Sequence, residues 1–151
     1  MYKTFNNILS QFIVMQIPDS PKEVVEEYIS AYNERDIERI EAVVADEIES
    51  GENSYSREGL TEAIQAYWHA FPDCRIDVEQ YVIDDGMVTV RVVFSGTHQE
   101  EYYGLDPTGE EFEVAEIMMW RVNEDELNGY WPVWDEMGFF EQLGVIEHPI
   151  S

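Results

Sequence analysis

The strongest constraint on the fold is a segment from Met87 to His98 in which apolar residues recur at every second position up to Phe94. A period of two predicts a β-strand with one buried face. The apolar side of this strand carries Val88, Val90, Val92, Phe94 and His98. A second such strand is predicted over residues 113–122, and its apolar side carries Val114, Glu116, Met118, Trp120 and Val122. The chain is therefore expected to build an antiparallel sheet with one apolar face.

Turn signals separate the predicted strands. The Asp-Asp-Gly sequence at 84–86 predicts a tight hairpin, because Asp-Gly tolerates the positive backbone angles that such a reversal requires. The strand before it, over residues 75–83, is expected to contain a bulge between positions 78 and 81. Residues 123–126 are predicted to turn the chain into its final strand. The Asn-Gly pair at 128–129 is a competing turn signal.

Three helices are predicted before the strands. Ser20 is an N-cap with Glu23 three residues later, which forms a capping box, and apolar residues follow at helical spacing to position 32. Asp36 can cap a second, short helix with apolar residues up to position 44. Residues 51–55 are expected to form a loop, and Ser56 to cap a third helix over 57–70. We expect residues 1–19 to be a flexible leader and residues 20–151 to form a single domain.

Charge is the outlying property of the composition. The 151 residues include 33 Asp and Glu against 8 Lys and Arg, which gives a net charge of −25 spread over the whole length. Such an acidic surface repels itself, and molar salt screens the repulsion because the Debye length falls to about 3 Å. We therefore predict a cytoplasmic protein of a halophile. Nucleic acid is not expected as a partner because it needs clustered Lys and Arg, and no apolar run is long enough for a membrane span.

Few residues are suited to metal or thiol chemistry. Cys74 is the only cysteine, so no intrachain disulfide is expected, and a lone buried thiol is a more common role for it than a nucleophile paired with His69. His69, His98 and His148 lack metal-ligand spacing. We expect no metal site and no bound cofactor.

The C-terminal segment carries the most specific motif. Residues 131–144 are Trp-Pro-Val-Trp-Asp-Glu-Met-Gly-Phe-Phe-Glu-Gln-Leu-Gly. This pattern resembles the closing segment of the SnoaL-like polyketide (ester) cyclase family, within the nuclear-transport-factor-two-like superfamily. Further matches follow the family's order upstream, at Phe71-Pro72-Asp73, Gly96-Thr97-His98 and Pro107-Thr108-Gly109. The resemblance spans about Pro21 to Ile146.

The resemblance implies a cone-shaped α+β fold in which N-terminal helices pack on a strongly curved antiparallel sheet whose hollow is a pocket. It also implies a homodimer that forms through the sheet. Asp135 aligns with the position that resembles the family's catalytic acid/base, and His98 completes its Gly-Thr-His motif. On spacing alone, a single histidine on an apolar face is more often a satisfied core group.

Strand register gives a second candidate acid. If Val122 pairs with Leu127, Glu116 faces Val133 and lies diagonal to Asp135 on the same face, with roughly 7 to 8 Å between their backbones. Two acids in apolar surroundings would raise the pKa of at least one of them, which suits general acid–base catalysis near neutral pH. A slip of one residue would turn Glu116 to the opposite face, and a surface glutamate is the common alternative.

Eight residues are predicted to line the pocket: Tyr28, Tyr32, Trp68, Phe94, Met118, Trp120, Trp131 and Val133. Aromatic stripes at helical spacing are also typical of plain core. The first functional hypothesis is a cofactor-independent enzyme in which Asp135 removes a proton alpha to the carbonyl of a small hydrophobic substrate, and His98 or a tyrosine hydrogen-bonds the enolate, as in the aldol ring closure of polyketide cyclases. The second is a non-catalytic binding protein for a small hydrophobic ligand. The third is a scaffold without a cavity.

Overall fold

The computed structural model describes residues 20–147 and Ile150. This part of the chain is an α+β fold with four helices and six strands. In chain order the elements are α1 (Pro21–Glu34), α2 (Ile37–Val43), β1 (Val44–Ser50), β2 (Asn53–Ser56), α3 (Arg57–Ala70), β3 (Arg75–Asp84), β4 (Met87–Thr97), β5 (Glu111–Asn123), β6 (Glu126–Trp134) and α4 (Glu136–Gln142). None of these helices has both the length and the apolar character needed to cross a membrane. The leader predicted over residues 1–19 and His148 lie outside the described residues.

The six strands form one curved sheet in the order β2-β1-β6-β5-β4-β3. Most neighbouring strands are antiparallel, whereas β1 and β6 pair in parallel. The predicted α+β fold with a curved sheet is confirmed, but the prediction of a purely antiparallel sheet is wrong. The difference arises because β1, a strand that was not predicted, enters the sheet beside the C-terminal strand.

Strands β1 and β2 depart most from the predicted elements. Helical spacing places Val44 in the second helix and turn residues place 51–55 in a loop, whereas both segments join an antiparallel hairpin. In β1 only Val44 and Ile48 are fully buried. A spacing of four residues fits one face of a helix as well as a strand with polar residues between, so periodicity does not separate the two structures.

The helices begin at the predicted caps. The Ser20 hydroxyl accepts the N–H of Glu23 at 3.3 Å at the start of α1, and the Ser56 hydroxyl accepts the N–H of Gly59 at 3.0 Å at the start of α3. Asp36 caps α2 in the same way. These bonds satisfy backbone donors that the first turn of a helix leaves without partners.

The two predicted hairpin turns are also confirmed. Asp85 and Gly86 have φ angles of 46° and 78° between β3 and β4, and Glu124 and Asp125 have φ angles of 50° and 64° between β5 and β6. The expected bulge in β3 lies between positions 78 and 80. The competing Asn-Gly signal at 128–129 does not reverse the chain. It marks instead the point where the register between β5 and β6 shifts.

The helices cover one face of the sheet. Helix α1 contacts β3, β4, β5 and β6, and its apolar side from Val24 to Tyr32 is buried. The largest fully buried side chains are Trp120 on β5, Phe71 at the end of α3 and Phe139 on α4. The rings of Phe71 and Phe139 are 5.6 Å apart, which joins the third and fourth helices in one core.

Asn33 fastens α1 to the edge strand β3. Its side-chain amide donates to the carbonyl oxygen of Ile76, and its side-chain oxygen accepts the N–H of Ile76, each at 2.8 Å. Strand β3 is the last strand of the sheet, so this edge has no neighbouring strand in the described chain. The Asn33 side chain takes the place of strand pairing there and holds α1 over the sheet.

Asn33→Ala is expected to lower the free energy of unfolding by about 1 to 3 kcal/mol, because both backbone groups of Ile76 lose their partner. Denaturant titration of the two proteins measures the difference. Asn53→Ala, which removes an exposed amide at the start of β2, is the control and should change stability by less than about 0.5 kcal/mol. Equal effects of the two substitutions would contradict this role of Asn33.

Candidate active site

A cavity of about 220 Å³ lies between α1, α3 and the inner face of the sheet. Its walls are mainly apolar, and six of the thirteen described lining residues are aromatic. The rings come from α1 (Tyr28 and Tyr32), α3 (Tyr67), β4 (Phe94) and β6 (Tyr130 and Trp134). Among the lining residues that the structure describes, the one acidic side chain is Glu116 of β5. The arrangement is an apolar chamber with a single ionisable acid.

Glu116 is largely buried and has one hydrogen bond from a side chain. The Tyr130 hydroxyl donates to its Oε1 oxygen at 3.1 Å. Burial raises the pKa of Glu116 from 4.5 to about 7, because the charged form loses its hydration, and the hydrogen bond from Tyr130 opposes this shift without cancelling it. The carboxyl group can therefore take up or release a proton near neutral pH.

Two more tyrosines stand around this carboxyl group. Burial, and secondarily the charge of Glu116, raises the pKa of Tyr28. Burial is also the main cause of the raised pKa of Tyr67, whose hydroxyl shares a hydrogen bond with Tyr102. The Tyr28 hydroxyl has no such bond to another residue that the structure describes. Both hydroxyls stay protonated at neutral pH, and that of Tyr28 can donate to a ligand.

The structure separates the eight predicted pocket residues into three groups. Tyr28, Tyr32, Phe94 and Met118 line the cavity. Trp120 and Trp68 do not line the cavity. Trp120 is fully buried and stacks on Tyr130 at 4.0 Å. Trp68 packs against Tyr32 at 5.6 Å, and the Arg35 guanidinium lies over the Trp68 ring. Trp131 and Val133 lie on the outer face of the sheet, so their assignment to the pocket is wrong.

The error at Trp131 and Val133 comes from the bulge in β6. Val122 pairs with Leu127 as predicted, but Arg121 pairs with Gly129, which leaves Asn128 unpaired. Every residue beyond this point is shifted by one. Tyr130, Pro132 and Trp134 consequently face Trp120, Met118 and Glu116 on the inner side, and a slip of one residue exchanges the two faces of a strand.

The same shift removes Asp135 from the cavity. Asp135 is exposed and is the N-cap of α4, where its side chain accepts the N–H of Gly138 at 2.8 Å. A Cβ at Gly138 would clash with the Asp135 carboxylate, so glycine leaves room for this cap. The predicted pair of Glu116 and Asp135 across the pocket is not formed. Glu116 stands in the cavity without it.

His98 is fully buried, but it is not a lining residue of the cavity. Its Nδ1 accepts the backbone N–H of Thr108 at 3.2 Å and lies 3.1 Å from the Thr108 hydroxyl. Its ring packs 5.2 Å from that of Phe71. These contacts tie the loop over residues 99–110 to the end of β4. Nε2 of His98 is buried and has no hydrogen-bond partner among the described residues, so the ring is a core group that is satisfied only at Nδ1.

Three of the aromatic residues that line the cavity, Tyr67, Tyr130 and Trp134, are absent from the predicted set. Tyr67 lies on the apolar side of α3, and periodicity does not tell a lining residue from a core residue. The signal for Tyr130 and Trp134 is the Asn-Gly pair at 128–129, since a bulge at this pair turns both residues to the inner face. No group of three or more His, Cys, Asp or Glu residues in the described part of the chain is arranged to hold a metal ion.

Glu116→Gln is expected to stabilise the protein above neutral pH. The folded-state pKa of about 7 exceeds the ordinary value of 4.5, so the folded protein holds this proton more tightly, and the wild type loses stability as pH rises from about 4.5 to 7. Glutamine does not ionise. At about pH 8 the variant should be more stable by about 1 to 3 kcal/mol, and the difference should vanish near pH 4.5.

Denaturant titrations across this pH range test the expectation. Glu111→Gln, the same change at an exposed position of β5, reports the general effect of removing one negative charge. If the stability difference between Glu116→Gln and wild type follows the pH profile of the Glu111→Gln control, the burial of Glu116 has no such effect.

The chain is similar to known proteins in sequence and in fold. A family model described as SnoaL-like polyketide cyclase matches residues 22–143. AclR from Streptomyces galilaeus, a candidate hydroxylase, is 23% identical with a TM-score of 0.76, over 85% of this chain and 87% of that one. IdmH from Streptomyces antibioticus, a candidate polyketide cyclase, is 28% identical with a TM-score of 0.73, over 83% and 99%. Among curated protein sequences none matches the chain significantly. The family match covers most of the sequence and agrees with the fold, and the chain therefore belongs to the SnoaL-like polyketide cyclase family.

Proposed function

We propose that this protein is an acid–base enzyme that needs no cofactor and removes a proton alpha to the carbonyl group of a small substrate. The observation that carries the proposal is the position of Glu116, a buried carboxyl group in an aromatic cavity with a pKa of about 7. A general base works best when its pKa lies near the working pH. Glu116 takes the role that the sequence predicts for Asp135.

Each step of the proton transfer has a residue in the cavity. The Glu116 carboxylate takes the proton, and the electron pair of the broken C–H bond forms a C=C bond while the carbonyl oxygen becomes an enolate. The Tyr28 hydroxyl donates a hydrogen bond to that oxygen, as an oxyanion-hole donor does. Tyr130 keeps Oε1 of Glu116 in place at 3.1 Å. Return of the proton to another carbon gives an isomerase, and attack of the enolate on a second carbonyl gives an aldol cyclase.

The size of the cavity limits the substrate. Pockets for drug-sized ligands are roughly 300 to 1,000 Å³, and this cavity is about 220 Å³. A compound with one ring fits this volume, whereas a fused polycyclic polyketide exceeds it and would extend out through the open side of the cavity. The proposal is therefore for cyclase or isomerase chemistry on a compact carbonyl compound.

Hydrogen–deuterium exchange tests the chemistry before the natural substrate is known. Enzyme-dependent exchange of the alpha protons of cyclohexanone and acetophenone in deuterated buffer, followed by NMR, is the expected result. Glu116→Gln should lower the enzyme-dependent rate by about 10²- to 10⁴-fold, because the general base is lost. Asp135→Asn, which preserves a good helix cap, should leave the rate unchanged.

Other outcomes discriminate between the alternatives. A loss of exchange in Asp135→Asn and not in Glu116→Gln would restore the role predicted from sequence for Asp135. Binding of the ketones without any enzyme-dependent exchange would indicate the non-catalytic binding protein.

We further propose that the protein forms a homodimer through the outer face of the sheet. Four apolar residues on neighbouring strands define an outer patch: Ile117, Met119, Trp131 and Val133. Val133 is 72% exposed and Ile117 is 45% exposed. The patch is bordered by Arg91 and Arg121, which pair with acids of their own chain. Two copies of an acidic protein repel least at such a face, and the association buries apolar area.

Ile117→Glu is expected to convert a dimer to a monomer in analytical ultracentrifugation, because it places two buried carboxylates at a two-fold interface. Val145→Glu, at an apolar position that is 41% exposed elsewhere on the surface, should leave the dimer intact. A wild-type monomer at micromolar concentration would rule out this interface.

The salt-rich cytoplasm inferred from the acidic composition stays a prediction.

A further inference from the structure

The cavity has an acidic side chain but no basic one among its described lining residues. Glu116 is the acid of the chamber, and none of the lining residues that the structure describes is Lys, Arg or His. Tyr130 donates to Oε1, while no described side chain donates to Oε2. Burial removes hydration from a carboxylate, and without a cationic partner no ion pair compensates for this loss. Oε2 is therefore free to receive a donor from the ligand, and a charged donor would restore most of what burial removed.

Aromatic rings line the cavity that holds the same carboxyl group. Tyr28 and Tyr130 both pack on Trp120, with ring centroids at 4.8 and 4.0 Å. Tyr67 and Trp134 complete the chamber on the sides of α3 and β6. The face of an aromatic ring is electrostatically negative and attracts a cation within about 6 Å, most strongly where water is excluded. A positively charged group beside Glu116 therefore gains from the rings as well as from the carboxylate.

The same features disfavour anionic ligands. A carboxylate in the chamber would meet Glu116 and the negative faces of the rings without a basic side chain among the described lining residues. The net charge of −25 also lowers the local concentration of anions and raises that of cations. The net negative charge of the protein and the negative charge of Glu116 therefore both favour cationic ligands over anionic ones.

We propose that the ligand is a compact amine, bound as its ammonium ion between Oε2 of Glu116 and the surrounding aromatic rings. This inference rests on the proposed function, which makes the cavity the site. It narrows the substrate class to small amino carbonyl compounds. An ammonium group next to the reacting carbon makes its C–H more acidic. Its positive charge also lowers the pKa of Glu116, so the same group activates the substrate and weakens the base.

Three one-ring probes of similar size and different charge test the inference with the full-length protein: benzylamine, benzyl alcohol and benzoate. At about pH 8, isothermal titration calorimetry should show benzylamine binding about tenfold more tightly than benzyl alcohol, with no binding of benzoate. Glu116→Gln should abolish the advantage of the amine and leave the affinity for benzyl alcohol within about twofold. Lowering the pH to about 5 should have the same effect in the wild type, because Glu116 is then protonated.

The Glu111→Gln variant is the control for attraction of the amine to acids on the surface. It should bind benzylamine as tightly as the wild type does. The inference is overturned if benzyl alcohol or benzoate binds as tightly as benzylamine, if benzylamine does not bind, or if Glu116→Gln keeps the preference for the amine. These outcomes are independent of the proton-transfer proposal. Alpha-proton exchange that depends on Glu116 can persist when the amine preference fails, and the amine preference can persist in a protein that catalyses no exchange.

Discussion

The pairing of β5 with β6 decides what both faces of the sheet present. One unpaired residue, Asn128, shifts the register and turns Tyr130, Pro132 and Trp134 to the inner side and Trp131 and Val133 to the outer side. The inner set brings the Tyr130 hydroxyl to 3.1 Å from Glu116 and closes the aromatic cavity. The outer set builds the apolar patch. A single bulge therefore determines the candidate active site and the proposed dimer interface together.

Glu116 is held at a cost to stability. Its carboxyl group is buried with one tyrosine hydroxyl as its hydrogen-bond donor, and the folded protein must either keep it protonated or accept a poorly solvated charge near neutral pH. Perturbed acids in cavities are typical of functional sites, since packing alone would favour an apolar residue at this position. The surrounding tyrosines stay protonated because burial raises their pKa values too. The site thus combines one group that titrates near neutrality with hydroxyl donors that do not.

Negative charge is distributed unevenly between the surface, the cavity and the outer patch. The protein has a net charge of −25, yet the cavity holds one acid, and the outer patch lies between arginines that are already paired. In the proposed dimer, the two copies meet at the patch, where the acidic exterior is interrupted. In the proposed complex, the acidic exterior and Glu116 both favour a cationic ligand. The two proposals therefore rest on the same distribution of charge.

Local signals in the sequence determined the elements, the caps and the turns, because these depend on residues a few positions apart. The Ser20, Asp36 and Ser56 caps and the two hairpin turns are examples. The family motifs determined the fold class, and alternation placed Glu116 on the buried side of β5. Only the tertiary structure decided the partner of Glu116, since one extra residue in β6 exchanges Val133 for Trp134 opposite it and leaves Asp135 to cap a helix in solvent. The tertiary structure also decided that residues 44–50 form β1. Their two buried residues fit a helix as well as a strand, and pairing with β6 makes the segment a strand. Side-chain environment depends on register between distant segments, and register is a property of the assembled sheet.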